Sequence, residues 1–487
     1  MFSDYVNEDG LCSQYMLKRP IVSVLDAEHA RSILRQSSSR KQMPLTQRHL
    51  HFAMGKKSLV FAEGGQDWVE QRRAINSAFS ALALVDYRPR VFEVARNIIS
   101  SLQTMCIEGR NCSVQMNALS LSALFTVDVF GKVALGHDFN SSSELGKHNI
   151  SYDVKTKEIK AFEFLLDDLV LRCNPSTAFN LSLQLYWLPT KRNRQHKYYR
   201  EVVKEFMEEI IQRRKDEIGT ATKLKGGRGE NMLTRLIHMN VNASAEDLTE
   251  FVKTMLVAGY ETTSVSISFV LYHIAKHPRI QERCLEEVTR IFSKYGNDEV
   301  INENEFKYIH STIMESLRLM PTVLLSSRII QRDINIGKAT IPSGTSIILP
   351  LADILKNERN FERATEFIPE RWLRWGRDGW VERDVQAEEN SDDNISGPKS
   401  TNVQYQEQNE QAETISAANR SNFLAFSHGV RDCIGKRLAN LEVTIFIAYI
   451  VKNFIVEFDD TGPPLEFERR LVTYFPHNLP ITFRKRE

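Results

Sequence analysis

No two cysteines in this chain stand at Cys-x-x-Cys spacing, and none belongs to a Cys/His cluster with zinc-ligand spacing. The six present (Cys12, Cys106, Cys112, Cys173, Cys284 and Cys433) are scattered along 487 residues, which argues against a disulfide framework and a zinc site. Cys106 and Cys112 are close enough to be bridged, but in a chain of this length the reading is reduced, cytosol-facing thiols. Long apolar runs are also missing. The longest, Val443 to Val451, has nine residues, whereas a bilayer takes roughly twenty, so no transmembrane helix is expected. The opening MFSDYVNEDG lacks the basic end and apolar core of a signal peptide. Neither sign of charge dominates: 63 basic and 62 acidic residues leave a net +1, so no global field draws the chain to nucleic acid.

With 42% hydrophobic and 26% charged residues, the chain can bury a large core. No composition break divides its first 370 residues, so residues 1–487 are expected to form a single domain. Strand-like runs are few and short, while long segments carry apolar residues at helical spacing. A mainly α fold is therefore expected. Tyr198 to Glu217 places Val202, Val203, Phe206, Ile210 and Ile211 on one stripe of an amphipathic helix, and GTATKLKGGRGEN after it reads as a loop. Ser244 and Asp247 form a capping-box start, and helical periodicity then runs to His277, where Pro278 stops it. Between Ile329 and Leu349, turns at Asn335-Ile-Gly337 and Pro342-Ser-Gly344 separate short β-branched runs and predict a small β-meander. Val385 to Ala418 turns to Gln, Asn, Glu and Ser, with seven acidic residues and one lysine; it reads as a disordered surface insert.

The strongest chemical signal is Phe426-Ser-His-Gly429-Val-Arg431-Asp-Cys433-Ile-Gly435, followed by a helical apolar run from Leu438. A helix N-terminus and the N–H groups of a glycine-punctuated loop suit a thiolate. This segment resembles the heme-binding signature of cytochromes P450, Phe-x-x-Gly-x-Arg-x-Cys-x-Gly, at every required position. The resemblance extends from the Val22–Leu34 segment to the final strands at Thr473–Phe483. It implies the cytochrome P450 fold: a large helical domain with a long central helix over the heme, plus small β-sheets. Cys433 is then the ligand of the iron in heme b (iron protoporphyrin IX), where a thiolate favours O–O cleavage.

Three further elements carry the resemblance. Glu315-Ser-Leu-Arg318 puts a carboxylate and a guanidinium on one helical face, and Phe367-Ile-Pro369-Glu-Arg371-Trp372 resembles the family's Pro-x-Arg-Phe element with tryptophan in place of phenylalanine. In the family, the matching residues form a buried charge triad. Ala258-Gly259-Tyr260-Glu261-Thr262-Thr263 resembles the oxygen-activation motif: Ala258 and Gly259 let a flat cofactor approach, and Glu261 and Thr262 relay protons. Trp68-Val-Glu-Gln-Arg72, Arg328 and Arg431 stand where the family binds the two heme carboxylates, and Phe426 and Gly435 complete the cofactor-binding set.

These matches imply a monooxygenase that inserts one atom of O2 into a lipophilic substrate, with electrons from NADPH through a separate reductase. A heme-thiolate isomerase or dehydratase, and an inactive heme-binding protein or gas sensor, are the alternatives; the intact Glu261-Thr262 pair and the absence of an effector domain speak against them. Two departures stand out. The family's N-terminal membrane anchor and proline-rich hinge are absent, and the acidic insert precedes the cysteine loop. The location implied is the cytosolic face of the endoplasmic reticulum membrane if an anchor is missing from this chain, and otherwise the cytosol or a peripheral membrane site.

Overall fold

Ser, Asn and Pro at helix boundaries set the frame of this computed structural model. It describes residues 7–16, 19–36, 49–50, 58–60, 62–145, 157–173, 185–220, 230–239, 244–295, 301–376, 379–382, 419–462, 464–469, 474–476 and 478–486. The insert expected at Val385 to Ala418 and most of the predicted loop after Gly219 lie outside these residues. In chain order the elements are β1 (Leu11–Met16), β2 (Arg19–Val24), α1 (Ala27–Gln36), α2 (Gln66–Asn76), α3 (Ala81–Glu108), β3 (Ser113–Asn117), α4 (Ala118–Phe130), α5 (Lys157–Cys173), α6 (Lys191–Thr220), α7 (Met232–Met239), α8 (Ala245–Leu256) and α9 (Thr262–Lys276). There follow α10 (Pro278–Tyr295), α11 (Lys307–Leu319), β4 (Ser326–Ile329), β5 (Ile334–Ile336), β6 (Ala339–Ile341), β7 (Ser346–Leu349), α12 (Leu351–Leu355), β8 (Leu373–Gly376), β9 (Gly379–Glu382), α13 (Lys436–Asn453), β10 (Phe454–Glu457), β11 (Phe467–Arg469), β12 (Tyr474–Pro476) and β13 (Pro480–Lys485).

The capping box is formed: Ser244 Oγ accepts from the Asp247 N–H at 3.1 Å, and Asp247 Oδ2 accepts from the Ser244 N–H at 3.3 Å. The helix it starts runs through α8 and α9 to Lys276, about 45 Å, and ends before Pro278 as expected. It is not α-helical throughout. Val257–Glu261 forms one π-turn joining α8 to α9, and such widened turns are frequent at functional sites.

Every residue of α4 is buried. Ser122 Oγ and Thr126 Oγ1 donate back to the carbonyls of Ala118 (2.7 Å) and Ser122 (3.0 Å), so hydroxyls enter the core without losing a partner. Ala118–Leu135 is long and apolar enough by composition to cross a membrane, but it is 89% buried inside the protein, where it serves as a core helix against α9. The amphipathic helix is α6, longer at both ends than expected, with Val202, Val203, Ile210 and Ile211 buried.

The predicted meander is a hairpin nested inside a second pair. β5 pairs with β6 across Gly337, while β4 and β7 pair outside it and extend a four-stranded sheet of order β1-β2-β7-β4. β2 and β7 are parallel and the other two pairs antiparallel. A second sheet, β10-β13-β3, is antiparallel throughout. All six cysteines are free thiols, Cys106 and Cys112 included.

Two cores result. The larger joins α3, α4, α9, α10, α11 and α13, and the smaller fills the space between the four-stranded sheet and α1. The segment before Cys433 bridges them: Leu424 belongs to the smaller core, while Phe423 and Phe426 pack on the larger.

Candidate active site at the Cys433 loop and the π-turn

Gly429 has φ +73°, and a Cβ there would lie 2.4 Å from the Leu34 carbonyl oxygen of α1. Glycine is therefore required where the loop crosses the end of α1. Arg35 Nε donates to His428 Nε2 at 2.9 Å and ties the same two segments. The Cys433 N–H donates to the Phe426 carbonyl at 2.9 Å and closes the loop; α13 then starts with Gly435 as its N-cap. Cys433 lies deep among protein atoms yet keeps accessible surface, so its thiol faces an open space inside the molecule. Burial pushes this thiol above its ordinary value. The Gly435 N–H opposes the shift, Asp432 adds to it, and Arg72 and Lys436 oppose it.

The π-turn presents a second open face. Tyr260, Glu261 and the residues from Thr263 to Leu271 are buried, but Ala258, Gly259 and Thr262 keep accessible surface. Thr262 Oγ1 donates to the Ala258 carbonyl at 2.5 Å, so these two share one side of the helix. A Cβ at Gly259 would meet only Phe130 Cδ2, at 3.9 Å, and one at Gly435 only Phe79 Cε1 and Cys433 Sγ, at 3.9 and 4.0 Å. No protein contact demands glycine at either position.

The four expected carboxylate partners stand around the cysteine loop or on the four-stranded sheet. Arg72 Nη2 pairs with Asp432 Oδ1 at 2.6 Å and its Nη1 donates to the Asp432 carbonyl at 2.9 Å. The Arg431 guanidinium lies 3.8 Å over the Trp68 ring and donates to the carbonyls of Leu59, Ala62 and Glu63. The Trp68 indole N–H donates to Leu59 as well, at 3.0 Å. Trp68 and Arg431 thus clamp the carbonyls of Leu59, Ala62 and Glu63, a role that sequence reasoning missed and that no local pattern signals. Arg328, fully buried on β4, donates to Ser326 Oγ at 3.0 Å and the Ser327 carbonyl at 2.8 Å.

Glu315 and Arg318 are both completely buried. Arg318 Nε and Nη2 donate to the two oxygens of Glu315 at 3.0 and 2.8 Å, and Arg371 Nε adds a third contact at 3.0 Å. The Ile368 N–H donates at 2.9 Å and the Trp372 indole at 3.0 Å. Trp372 was expected only as a replacement for phenylalanine; its N–H gives the carboxylate a donor that phenylalanine lacks. It also packs edge-on against Phe423, which packs edge-on against Phe426, whose carbonyl holds Cys433. On the facing helix His273 stacks on Phe367 at 4.4 Å, and its Nδ1 lies 2.9 Å from Ser316 Oγ. Burial pulls its pKa down to about 3, so it packs as a neutral ring.

A family model described as Cytochrome P450 matches residues 7–482. The chain belongs to the cytochrome P450 family. Among curated relatives, a cytokinin hydroxylase of Arabidopsis thaliana is 26% identical over 412 residues, 82% of this chain and 66% of that protein. Probable cytochrome P450 4ac1 of Drosophila melanogaster is 23% identical over 97% of this chain and 82% of its own length. Secologanin synthase 1 of Catharanthus roseus is 26% identical over 90% and 74%. The mainly α architecture with small sheets is that of the P450 fold, and this P450 is a heme-thiolate monooxygenase whose cofactor contains a heme iron.

The residues present fit that group. A deep but accessible thiol, two glycines that leave room for a flat ring, and three arginines suit a planar iron macrocycle bearing two carboxylates. By contrast, a pocket of about 410 Å³ lined by Arg90, Lys132, Arg214 and Glu230 contains none of the motif residues, and Lys132 and Arg214 are already ion-paired there.

Proposed function

We propose that this P450 oxygenates a lipophilic small molecule, using electrons that originate from NADPH and arrive through a separate reductase, at the cytosolic face of the endoplasmic reticulum membrane if an anchor is missing from this chain, and otherwise in the cytosol or at a peripheral membrane site. The observation that carries the reading is the accessible Ala258-Gly259-Thr262 face beside the buried Tyr260, Glu261 and Thr263 to Leu271, found in the same chain as the accessible Cys433. An isomerase or dehydratase has little use for an open hydroxyl next to a buried carboxylate.

In this reading Cys433 holds the heme iron, which when bound supplies the centre where dioxygen is cleaved. Trp68, Arg72, Arg328 and Arg431 serve its carboxylates directly or hold the segments around them, and Phe426 and Gly435 shape the loop beside the thiol. Ala258 and Gly259, small and accessible, would leave room for a flat cofactor beside the helix. Thr262 Oγ1, which donates to the Ala258 carbonyl in this structure, would release that carbonyl during turnover to hold a proton toward the reacting side, and the buried Glu261 would pass protons to it once water reaches its carboxylate. Thr262→Ala is expected to retain heme and still consume reductant. Product formed per electron should fall about tenfold, with peroxide and water rising, because solvent replaces part of the ~10²-fold that a placed proton donor contributes. Glu261→Gln should slow turnover with a smaller loss of coupling. Unchanged coupling in Thr262→Ala removes that residue from the mechanism.

Support for a lipophilic substrate comes from the segments that by family resemblance would line the pocket, Ser58 to Phe61, Thr322 to Leu325 and Thr473 to Asn478; Tyr260, which the resemblance also places there, is instead buried against α5 with its hydroxyl on Glu163. Most are apolar; Phe61, Thr473 and His477 lie outside the described residues. A relative named for hydroxylation is consistent with oxygen insertion. Trp187 is 75% exposed, with Pro189, Lys191 and Arg194 exposed beside it, a pattern suited to an aromatic anchor with cations at lipid headgroups. Trp187→Ser is expected to weaken flotation with anionic liposomes several-fold; equal flotation argues against this contact. Arg73, Lys436 and Arg437 are exposed on the side of the cysteine loop and suit an acidic reductase.

A further inference from the structure

Two neighbouring helices, α5 and α6, are fastened to each other by a buried polar cluster. Asp168 of α5 accepts from Arg172 and from Arg192 of α6, both at 2.5 Å, and pairs with His196 Nδ1 at 2.7 Å. Burial pushes the Asp168 carboxyl up, but hydrogen bonds from His196, Arg172 and Arg192 outweigh it and hold the pKa at about 2. Arg172 also stacks 4.0 Å over Tyr186 and donates to Asn193, which holds the Leu185 and Leu188 carbonyls of the connecting segment. A cluster this deeply shared makes α5 and α6 move together.

α5 reaches the π-turn through Glu163, whose Oε1 accepts from the Tyr260 hydroxyl at 2.8 Å. Tyr260 lies in the middle of Val257–Glu261 and is 3% exposed. Two residues along a helix is about half a turn, so its side chain leaves on the side opposite the open face of Ala258 and Thr262. The next residue is Glu261. A π-turn breaks the regular ladder and persists where its surroundings hold it. Here the ring is packed and the hydroxyl is anchored to a neighbouring helix.

We infer that Glu163 is a positioning residue: by holding the Tyr260 hydroxyl it keeps Val257–Glu261 in its widened form, and so ties the place of α5 to the presentation of Glu261 and Thr262. The consequence for turnover rests on the monooxygenase reading, whereas the tie itself does not. A molecule that moves α5 when it binds pulls on this bond, so that fit at α5 is felt at the residues that handle protons. Glu163 and Tyr260 are 97 positions apart, and neither matches a motif that would have paired them.

The test uses the full-length, heme-loaded protein and hydrogen–deuterium exchange of peptides covering residues 256–263, with product per electron as the second readout. Tyr260→Phe keeps the packed ring and Glu163→Leu removes the acceptor. Each is expected to raise exchange across the π-turn about tenfold, the effect of losing one hydrogen bond to a carboxylate, and to leave peptides from residues 265–275 protected. Glu163→Gln, which keeps an acceptor oxygen, should stay within about threefold of wild type on the same scale. The double variant Tyr260→Phe/Glu163→Leu should be no worse than either single variant, because both remove the same bond. Coupling should fall at least twofold in the first two variants and recover in Glu163→Gln. Unchanged exchange in Tyr260→Phe or Glu163→Leu, or effects that multiply in the double variant, overturns the inference. Absence of turnover by the wild type instead counts against the monooxygenase reading, and the exchange result then decides the tie by itself.

Discussion

Cys433→Ala is expected to abolish the strongly red-shifted absorption that the reduced, carbon monoxide-bound protein should display, while alanine at Cys12, Cys106, Cys112, Cys173 or Cys284 leaves it intact. The selectivity follows from position. Burial pushes the Cys106, Cys173 and Cys284 thiols up as it does that of Cys433, so acidity does not separate them; access does, because Cys106 and Cys284 are buried and Cys173 half-buried, whereas Cys433 keeps accessible surface. Cys12 sits in a sheet and Cys112 on the surface. Cys433 alone stands at the mouth of a helix N-terminus, with its backbone N–H fixed on Phe426 and Arg72 and Lys436 nearby. Because one ligand carries the spectrum, the expected change is complete loss. A red-shifted band that survives in Cys433→Ala would assign the thiolate elsewhere.

Glu315→Ala should produce the largest loss of stability in the molecule. Its carboxylate accepts from Arg318, Arg371, Trp372 and the Ile368 N–H, all in a site closed to water. Its removal leaves Arg318 buried without its counter-charge, a change that costs about 3–5 kcal/mol, against a total stability of order 5–15 kcal/mol. Glu315→Gln, isosteric but neutral, should cost less than alanine. Trp372→Phe deletes one donor to a charged acceptor and keeps most of the packing, so about 1.5–3 kcal/mol is expected. Urea midpoints for the three variants, with heme content measured alongside, should rank Glu315→Ala lowest and Trp372→Phe nearest to wild type. A Glu315→Ala midpoint indistinguishable from wild type would show that the cluster does not hold the fold together.

How much of this was legible in the sequence depended on how local the physics is. The turn of the cysteine loop could be read directly, because its phenylalanine, its glycine and its cysteine fall within ten consecutive positions. The capping box at Ser244 and the stop at Pro278 were legible for the same reason. The π-turn was not: inserting one extra residue into a helical turn leaves no mark on apolar periodicity. Ala118–Leu135 escaped notice because Ser120, Ser122, Thr126 and Asp128 interrupt its apolar run; in the fold, Ser122 and Thr126 bond back to the helix and Asp128 accepts the Ser141 N–H at 2.8 Å. The parallel pairing of β2 with β7 joins segments more than three hundred residues apart, and short strands do not announce distant partners.

At the site the division is similar. Glu315 and Arg318 share a helical face and could be paired by spacing, but Arg371 came to them only through family resemblance, and the Trp372 indole went unread because the substitution looked like one aromatic ring for another. The clamp of Arg431 on the carbonyls of Leu59, Ala62 and Glu63 spans most of the chain. Sequence placed Thr262 and Glu261 side by side; the structure adds that Thr262 is on the accessible face and Glu261 is buried behind it.

The most direct test of the central claim is product analysis by mass spectrometry after turnover of a lipid panel under 18O2 in unlabelled water, with NADPH and a reductase supplied. The account predicts products heavier by one labelled oxygen atom, with the second atom of O2 recovered in water. Products carrying oxygen from water alone, or rearranged products formed equally well without O2 and reductant, would contradict it.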